Sequence, residues 1–292
     1  MHKEIREFLG LAGIRLCMQS WNPDNGSGKA ILIIMHGGIN HCDMQAYDDM
    51  ACLLVSKGYS VYSFDQRGFG RSEGHRMHMD CWDDFRGDFA SFLRLVRTLE
   101  PGKPVFAYGI SFGACQVIDQ AIVSPHLLDG IIAASFSTRP VNIPLAALKV
   151  MSVIGRLMPK KKVDGDLQPS FQGAAEKMAG TTLWHDPLCP RHITMGFTYR
   201  LFNRQKQLAG ELQYLTIPVL HQQGMDDSIT LPDSSIAEKI GTEDYTYIEY
   251  SETGHELLGG KDPDAVMNDI YLWLEERSGN IGKSGKSEDG SV

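Results

Sequence analysis

The stretch "KPVFAYGISFGACQVIDQAI" (Lys103–Ile122) places Gly-Ile-Ser-Phe-Gly between an apolar strand-like run and an amphipathic helical run. Glycine weakens both kinds of element, so two glycines flanking one serine need a reason. Ser111 then stands at a strand–turn–helix corner, the setting of a nucleophile elbow. In such an elbow the serine adopts a strained backbone conformation, and side chains at the flanking positions would collide with the neighbouring strand and helix. The helix N-terminus beside Ser111 favours developing negative charge. The competing reading is a tight structural turn, since a lone Gly-x-Ser-x-Gly can arise by chance in a chain with 30 glycines. The rest of the chain decides between them.

Outward from this corner, strand-like and helix-like runs alternate. Lys29–Gly37, Tyr59–Asp65, Asp129–Phe136, Ile217–Gly224 and Tyr245–Ser251 are short and apolar, as strands buried on both faces should be. Between them, Asp84–Leu99 sets Phe85, Phe89, Phe92, Leu93 and Val96 on one helical stripe, and Asp264–Arg277 closes the folded part. Strands alternating with helices predict βαβ units and a mostly parallel central sheet flanked by helices, an α/β fold. From about Arg139 to Gln213 no convincing strand is expected. The predicted organisation is a core of residues 1–138 and 214–278, a helical insertion over 139–213, and a Gly/Ser/Lys-rich disordered tail over 279–292.

Composition narrows the function classes. Hydrophobic residues make up 42% of the 292, enough for a sizeable core, and the formal net charge is -8 without any Lys/Arg-rich arm, which argues against a nucleic-acid partner. The six cysteines are scattered, with no Cys-x-x-Cys pair and no zinc spacing, so neither a structural metal nor a disulfide framework is expected and a reduced compartment fits. His75 and His78 lack a third ligand at fixed spacing and read as loop residues. The N-terminus has no uninterrupted apolar core of a signal peptide, and no window of about 18 apolar residues exists. The expected location is cytoplasmic, with peripheral membrane contact as a further option.

A serine nucleophile needs a base, and the base needs an orienting group. On an elbow of this kind the acid and then the histidine follow the serine in chain order. "IPVLHQQGMDDSIT" offers Asp226 and Asp227 just after a strand, and "YTYIEYSETGHELLGG" offers His255 in a glycine-containing turn before the last helix. An oxyanion hole also requires two backbone donors: the N–H of Phe112, after the nucleophile, and one from "HGGIN", assigned to Gly38.

With these residues in view, the chain resembles the monoacylglycerol lipase and lysophospholipase group of serine α/β-hydrolases. The resemblance runs from "EIREFLGLAGIRLCMQSWNP" through "YLWLEER". It includes the His-Gly oxyanion loop, the Asp-x-x-Gly-x-Gly-x-Ser-x-Gly segment from Asp65 to Gly74, the elbow, the Gly-x-x-Asp acid turn, the Gly-His-Glu-Leu-Leu turn, and "HDPLCPRHITMGFTYRLFN", which is similar to the family's Asp-Pro-Leu stretch. The Gly-x-x-Asp pattern implies that Asp227, not Asp226, is the acid. The oxyanion loop departs from the family's monoglyceride lipases, which carry His-Gly-x-Gly-Glu-His-x-x-Arg-Tyr. Here Asn40 stands at the glutamate and Met44 at the arginine.

The resemblance implies that residues 139–213 form a cap over the active site. "NIPLAALKVMSVIGRLMP" (Asn142–Pro159) puts Ala147, Val150, Met151, Ile154, Leu157 and Met158 at helical spacing, with Lys149, Ser152 and Arg156 on another face. That apolar side either packs on the core or meets an acyl chain or lipid surface. The Lys160–Lys162 run is a solvated loop or an electrostatic aid to that surface.

The expected function is therefore hydrolysis of a carboxylic ester with an apolar acyl chain, monoacylglycerol first, through an acyl-enzyme on Ser111 and without a cofactor. General carboxylesterase, lysophospholipase and acyltransferase activity share the same triad. A non-catalytic small-molecule receptor is disfavoured because all three triad positions are filled. A haloalkane dehalogenase would carry aspartate where Ser111 stands. The oligomeric state, and whether Cys42 is a reactive thiol or a small apolar filler, are left open by the sequence.

Overall fold

The computed structural model of the protein describes residues 1–24, 26–138, 145–164, 186–190 and 192–281. In chain order the strands are β1 (His2–Leu9), β2 (Arg15–Asn22), β3 (Ile31–Met35), β4 (Ser60–Phe64), β5 (Val105–Ile110), β6 (Gly130–Ala134), β7 (Lys162–Asp164), β8 (His192–Thr194), β9 (Val219–Gly224) and β10 (Tyr245–Tyr250). The helices are α1 (Gln45–Ser56), α2 (Trp82–Leu99), α3 (Phe112–Val123), α4 (Leu145–Leu157), α5 (Met195–Glu211) and α6 (Pro263–Ile281).

Eight strands form one sheet in the order β1-β2-β4-β3-β5-β6-β9-β10. The β1/β2 and β2/β4 pairs are antiparallel and the rest are parallel. The period-2 alternation of a strand explains the two cores. Ile31, Ile33, Val105, Ala107, Ile131 and Ala133 face one side, where α2 and α3 pack. Leu32, Ile34, Phe106, Tyr108, Ile132 and Ala134 face the other, with residues of α1 and α6. Each Ile, Leu, Val or Phe among them, fully buried, contributes about 1.5–3 kcal/mol. That two-sided demand is why these strands read as unbroken apolar runs. β10 closes the sheet edge and is only partly buried, less than its apolar appearance suggests.

Three differences from the sequence reading have simple physical causes. The chain opens with an antiparallel β1/β2 pair whose mostly exposed first strand carries charged side chains and no long apolar run. The interval 139–213 contains the short strands β7 and β8, paired Lys162 to Thr194 through Asp164 to His192. Three residues are too few to show a period, and such a pair exists only through its partner. Finally, α6 runs on to Ile281, past the expected boundary at 278, because extending a helix adds one hydrogen bond per residue. Within the anticipated tail, residues 282–292 lie outside the described residues, as do 139–144, 165–185 and 191 of the anticipated cap.

In the anticipated cap helix, Val150, Leu157 and Met158 are exposed, Leu157 by 75%, and Val153 joins them. Ile154 is half-buried, and the side chains of Ala147 and Met151 lie outside the described residues. The helix meets α5 instead through Gly155, where a Cβ would sit 2.5 Å from Tyr199 Cβ. Among the described residues no helix is long and apolar enough to cross a membrane.

Candidate active site

β5 ends at Ile110 and α3 begins at Phe112, so Ser111 occupies the junction with φ 56° and ψ -112°. A positive φ costs a non-glycine residue about 1–3 kcal/mol, which the surrounding structure must hold in place. Two close approaches explain the flanking glycines. A Cβ on Gly113 would run into Met35 O and lie 2.8 Å from His36 O, and one on Gly109 would lie 2.8 Å from Ala114 N. Ser111 N–H donates to Ala134 O of β6 at 3.0 Å, and its side chain remains partly exposed. Phe112 is anchored by four rings, Phe69, Trp82, Phe85 and Phe197, at centroid distances of 4.9–6.1 Å. Phe197 belongs to α5, so the insertion reaches the base of the elbow.

Asp227 follows β9 and His255 lies in the turn before α6. His255 Nδ1 donates to Asp227 Oδ2 at 2.8 Å, with both residues at most 5% exposed. That bond fixes the tautomer and leaves Nε2 a bare lone pair, buried and without a partner among the described residues. Asp227 accepts further bonds from Ile229 N, Thr230 N, Thr230 Oγ1 and Gln223 Nε2 at 2.5–3.1 Å. Burial pushes its carboxyl pKa upward, but the bonds from His255 and Thr230 outweigh this and hold it below the ordinary range. Asp226, the adjacent carboxylate, is exposed and bonds through its backbone N–H to Thr253 O. The geometry thus pairs His255 with Asp227 and leaves Asp226 outside.

The oxyanion loop is held from below. His36 is fully buried: Nδ1 donates to Gly37 O at 2.8 Å and Nε2 accepts from Gln66 N at 3.1 Å. Burial lowers its pKa to about 4, so it is a neutral scaffold residue. Asp65 accepts from Cys42 N and from Arg71 N, both at 2.7 Å. Cys42 is fully buried, and burial pushes its thiol well above the ordinary value, which makes it a filler. Gly38 lies over the elbow, since a Cβ there would stand 3.8 Å from Phe112 Cβ. Gly38 and Phe112 are therefore neighbours. Asn40, at the position of the family's glutamate, donates from Nδ2 to Tyr47 OH at 3.4 Å.

Sequence reasoning missed Gln223, Thr230 and Ser135, none of which belongs to a motif. It also missed the latch between His41 of the oxyanion loop and Asp186, Nε2 to Oδ2 at 3.0 Å. With Cys189, this is a cluster whose ligand atoms lie within 4.8 Å of one another. His41 Nδ1 accepts from Asp43 N at 3.2 Å, so Nε2 carries the proton and is engaged as a donor. The cluster is satisfied as a hydrogen-bonded latch and not set up for a metal. His78 is spent on Thr194 Oγ1 and Asp80 Oδ1, each at 3.0 Å, and His75 joins no ligand cluster among the described residues.

A mostly parallel eight-stranded sheet carrying a strained serine at a strand–helix corner defines a serine hydrolase of the α/β-hydrolase fold. A family model described as serine aminopeptidase, S33, matches residues 26–263, and the chain belongs to that family. It is similar to a putative monoglyceride lipase of Schizosaccharomyces pombe, 27% identical over 274 residues, covering 90% of this chain and 72% of that protein. It is also similar to the monoglyceride lipase of Homo sapiens, 23% identical over 302 residues, covering 96% and 93%. Among solved structures, the monoacylglycerol lipase of Paleococcus ferrophilus superposes with a TM-score of 0.76 at 23% identity, covering 90% of this chain and 99% of that one.

Proposed function

We propose that the chain hydrolyses carboxylic esters with an apolar acyl chain, monoacylglycerols first, through an acyl-enzyme on Ser111. Ser111 Oγ attacks the ester carbonyl while His255 Nε2 takes its proton. Asp227 keeps Nδ1 protonated and stabilises the imidazolium that forms. The N–H groups of Gly38 and Phe112 receive the oxyanion, reinforced by the N-terminus of α3. His255 returns the proton to the leaving alcohol and then activates the water that frees the acid. No step calls for a cofactor.

The observation that carries this reading is the buried 2.8 Å His255–Asp227 pair, whose free Nε2 belongs to the turn tied to the end of β6 that also holds Ser111 N–H. Similarity to proteins named monoglyceride lipases supports the choice of substrate. The exposed Val150, Val153, Leu157 and Met158, close to Lys149, Arg156 and Lys160–Lys162, suit transient contact of the cap with a lipid surface.

A second reading, a carboxylesterase for shorter esters, is favoured by one observation. Asn40 is neutral and spends its amide on Tyr47, where the monoglyceride lipases of the family carry a glutamate at the polar end of the pocket. Initial rates on 1-monoacylglycerols of increasing acyl length, with Ser111→Ala as blank, separate the two. A rate that rises to medium or long chains and vanishes in the variant supports the lipase. Activity confined to short activated esters supports the esterase, and activity that persists in Ser111→Ala overturns both.

A further inference from the structure

Ser135, the residue after β6, is fully buried yet has a φ of 50°. A serine is rarely kept in the left-handed region inside a core unless something depends on the bend. Here every polar group of the residue is used, and each bond goes to the reacting groups or their supports. Its N–H donates to Gln222 O of β9 at 2.9 Å. Its carbonyl lies 3.0 Å from Thr230 Oγ1 of the acid turn and shares that hydroxyl's single proton with Asp227 Oδ2, and its own hydroxyl donates to the carbonyl of His255 at 2.6 Å. Thr230 Oγ1 in turn stands 2.5 Å from Asp227 Oδ2 and 3.2 Å from His255 Nδ1. The residue before it, Ala134, receives Ser111 N–H. Two consecutive residues at one strand end thus hold the serine, acid and histidine segments, which are separated by 116 and 28 positions in the chain.

Resting on the Ser111–His255–Asp227 reading, we propose that Ser135 is a positioning residue that ties the histidine turn to the acid turn, so that the imidazole keeps its alignment while its charge changes during acyl transfer. The physical reason is the reach of the two turns. Each is anchored to its own strand; Asp226 N–H joins them by donating to Thr253 O at 2.9 Å, two residues before the histidine, and the 2.8 Å pair joins the side-chain tips. The Ser135 hydroxyl adds an attachment at the His255 carbonyl itself, from a residue that also touches Thr230 of the acid turn. A loss of alignment of about 1 Å at a reacting group costs roughly 10²-fold in rate.

The test compares Ser135→Ala, which keeps the backbone preference, with Ser135→Gly, which also relieves the positive φ. Ile132→Val on the same strand is a control for ordinary core destabilisation. Both Ser135 variants are expected to lower kcat about 10–100-fold with KM within about twofold, and to slow fluorophosphonate labelling of Ser111 in parallel. In proton NMR the downfield His255 Nδ1–H resonance should shift or broaden in both, and remain unchanged in Ile132→Val. Equal loss of activity in Ser135→Gly and Ser135→Ala despite different melting temperatures supports positioning. Wild-type kcat and an unmoved resonance in either Ser135 variant overturn it. If the wild-type protein itself fails to label at Ser111, the triad reading has failed, and the inference falls with it for that separate reason.

Discussion

Arg204 of α5 reaches Asp119 of α3 with Nε 2.7 Å from Oδ1, a buried ion pair between the insertion and the helix that begins at the elbow. Asp119 is 1% exposed and is also held by Arg86 Nε at 2.6 Å, while Arg204 reaches on to Glu211. Breaking a buried pair costs about 3–5 kcal/mol, because a charge is left uncompensated. Arg86 still pairs Asp119 in Arg204→Met, so the expected loss is at the lower end, about 3 kcal/mol. Urea unfolding measures it; an unchanged midpoint would show that the pair contributes nothing.

Asp227→Asn keeps the shape of the acid but offers an amide where His255 Nδ1 needs an acceptor. The expected fall in kcat is about 10⁴-fold, because the wrong tautomer leaves Nε2 protonated. Asp226→Asn should be nearly neutral, since Asp226 is exposed. Near-normal turnover of Asp227→Asn would remove the acid assignment.

Glu256 follows His255, and burial raises its carboxyl to about 7, opposed by His255 and by an interaction with Asn40. The folded protein then binds a proton more tightly than the unfolded chain, whose glutamates titrate near 4.5. Stability from this group is fully present below about 4.5 and is lost as pH rises towards about 7, at up to about 1.4 kcal/mol per unit. Asp227 works in the opposite direction. Its depressed pKa contributes stability above the ordinary carboxylate range that is lost on acidification. Glu256→Gln should flatten the stability curve between about pH 4.5 and 7, read by chemical denaturation across that range. A curve identical to wild type would show that Glu256 titrates normally.

Val150→Ser with Leu157→Ser replaces two exposed apolar side chains of α4 and should change stability by less than about 0.5 kcal/mol. The double variant is expected to bind anionic liposomes several-fold more weakly and to hydrolyse aggregated substrate more slowly, with rates on monomeric short-chain esters unchanged. High salt should weaken wild-type sedimentation through Lys160–Lys162 by screening. Salt-independent or absent binding would remove the electrostatic part.

The central parallel sheet was legible in the sequence because β3, β5 and β6 are buried on both faces and are apolar almost throughout. The elbow was legible because Gly109 and Gly113 have no room for a Cβ. β1 and the β7/β8 pair were not, since exposed or three-residue strands carry no distinctive pattern. Residues of the His255–Asp227 surroundings divide in the same way. Asp227 and His255 stand in recognisable turns, whereas Thr230, Gln223 and Ser135 are ordinary polar residues whose roles come only from where the chain brings them.

The sequence by itself determined the order of chemistry along the chain: serine on an elbow, acid after a later strand, histidine before the last helix. Those features are local, set by turn geometry and hydrophobic period, and local physics is written in adjacent residues. Only the tertiary structure decided that Ser135 bends between the two turns, that Thr230 and Gln223 support Asp227, and that Val150, Leu157 and Met158 of the cap are exposed. Each of these depends on distances between segments far apart in the chain, and those distances exist only once the sheet has assembled with its register set by two buried faces.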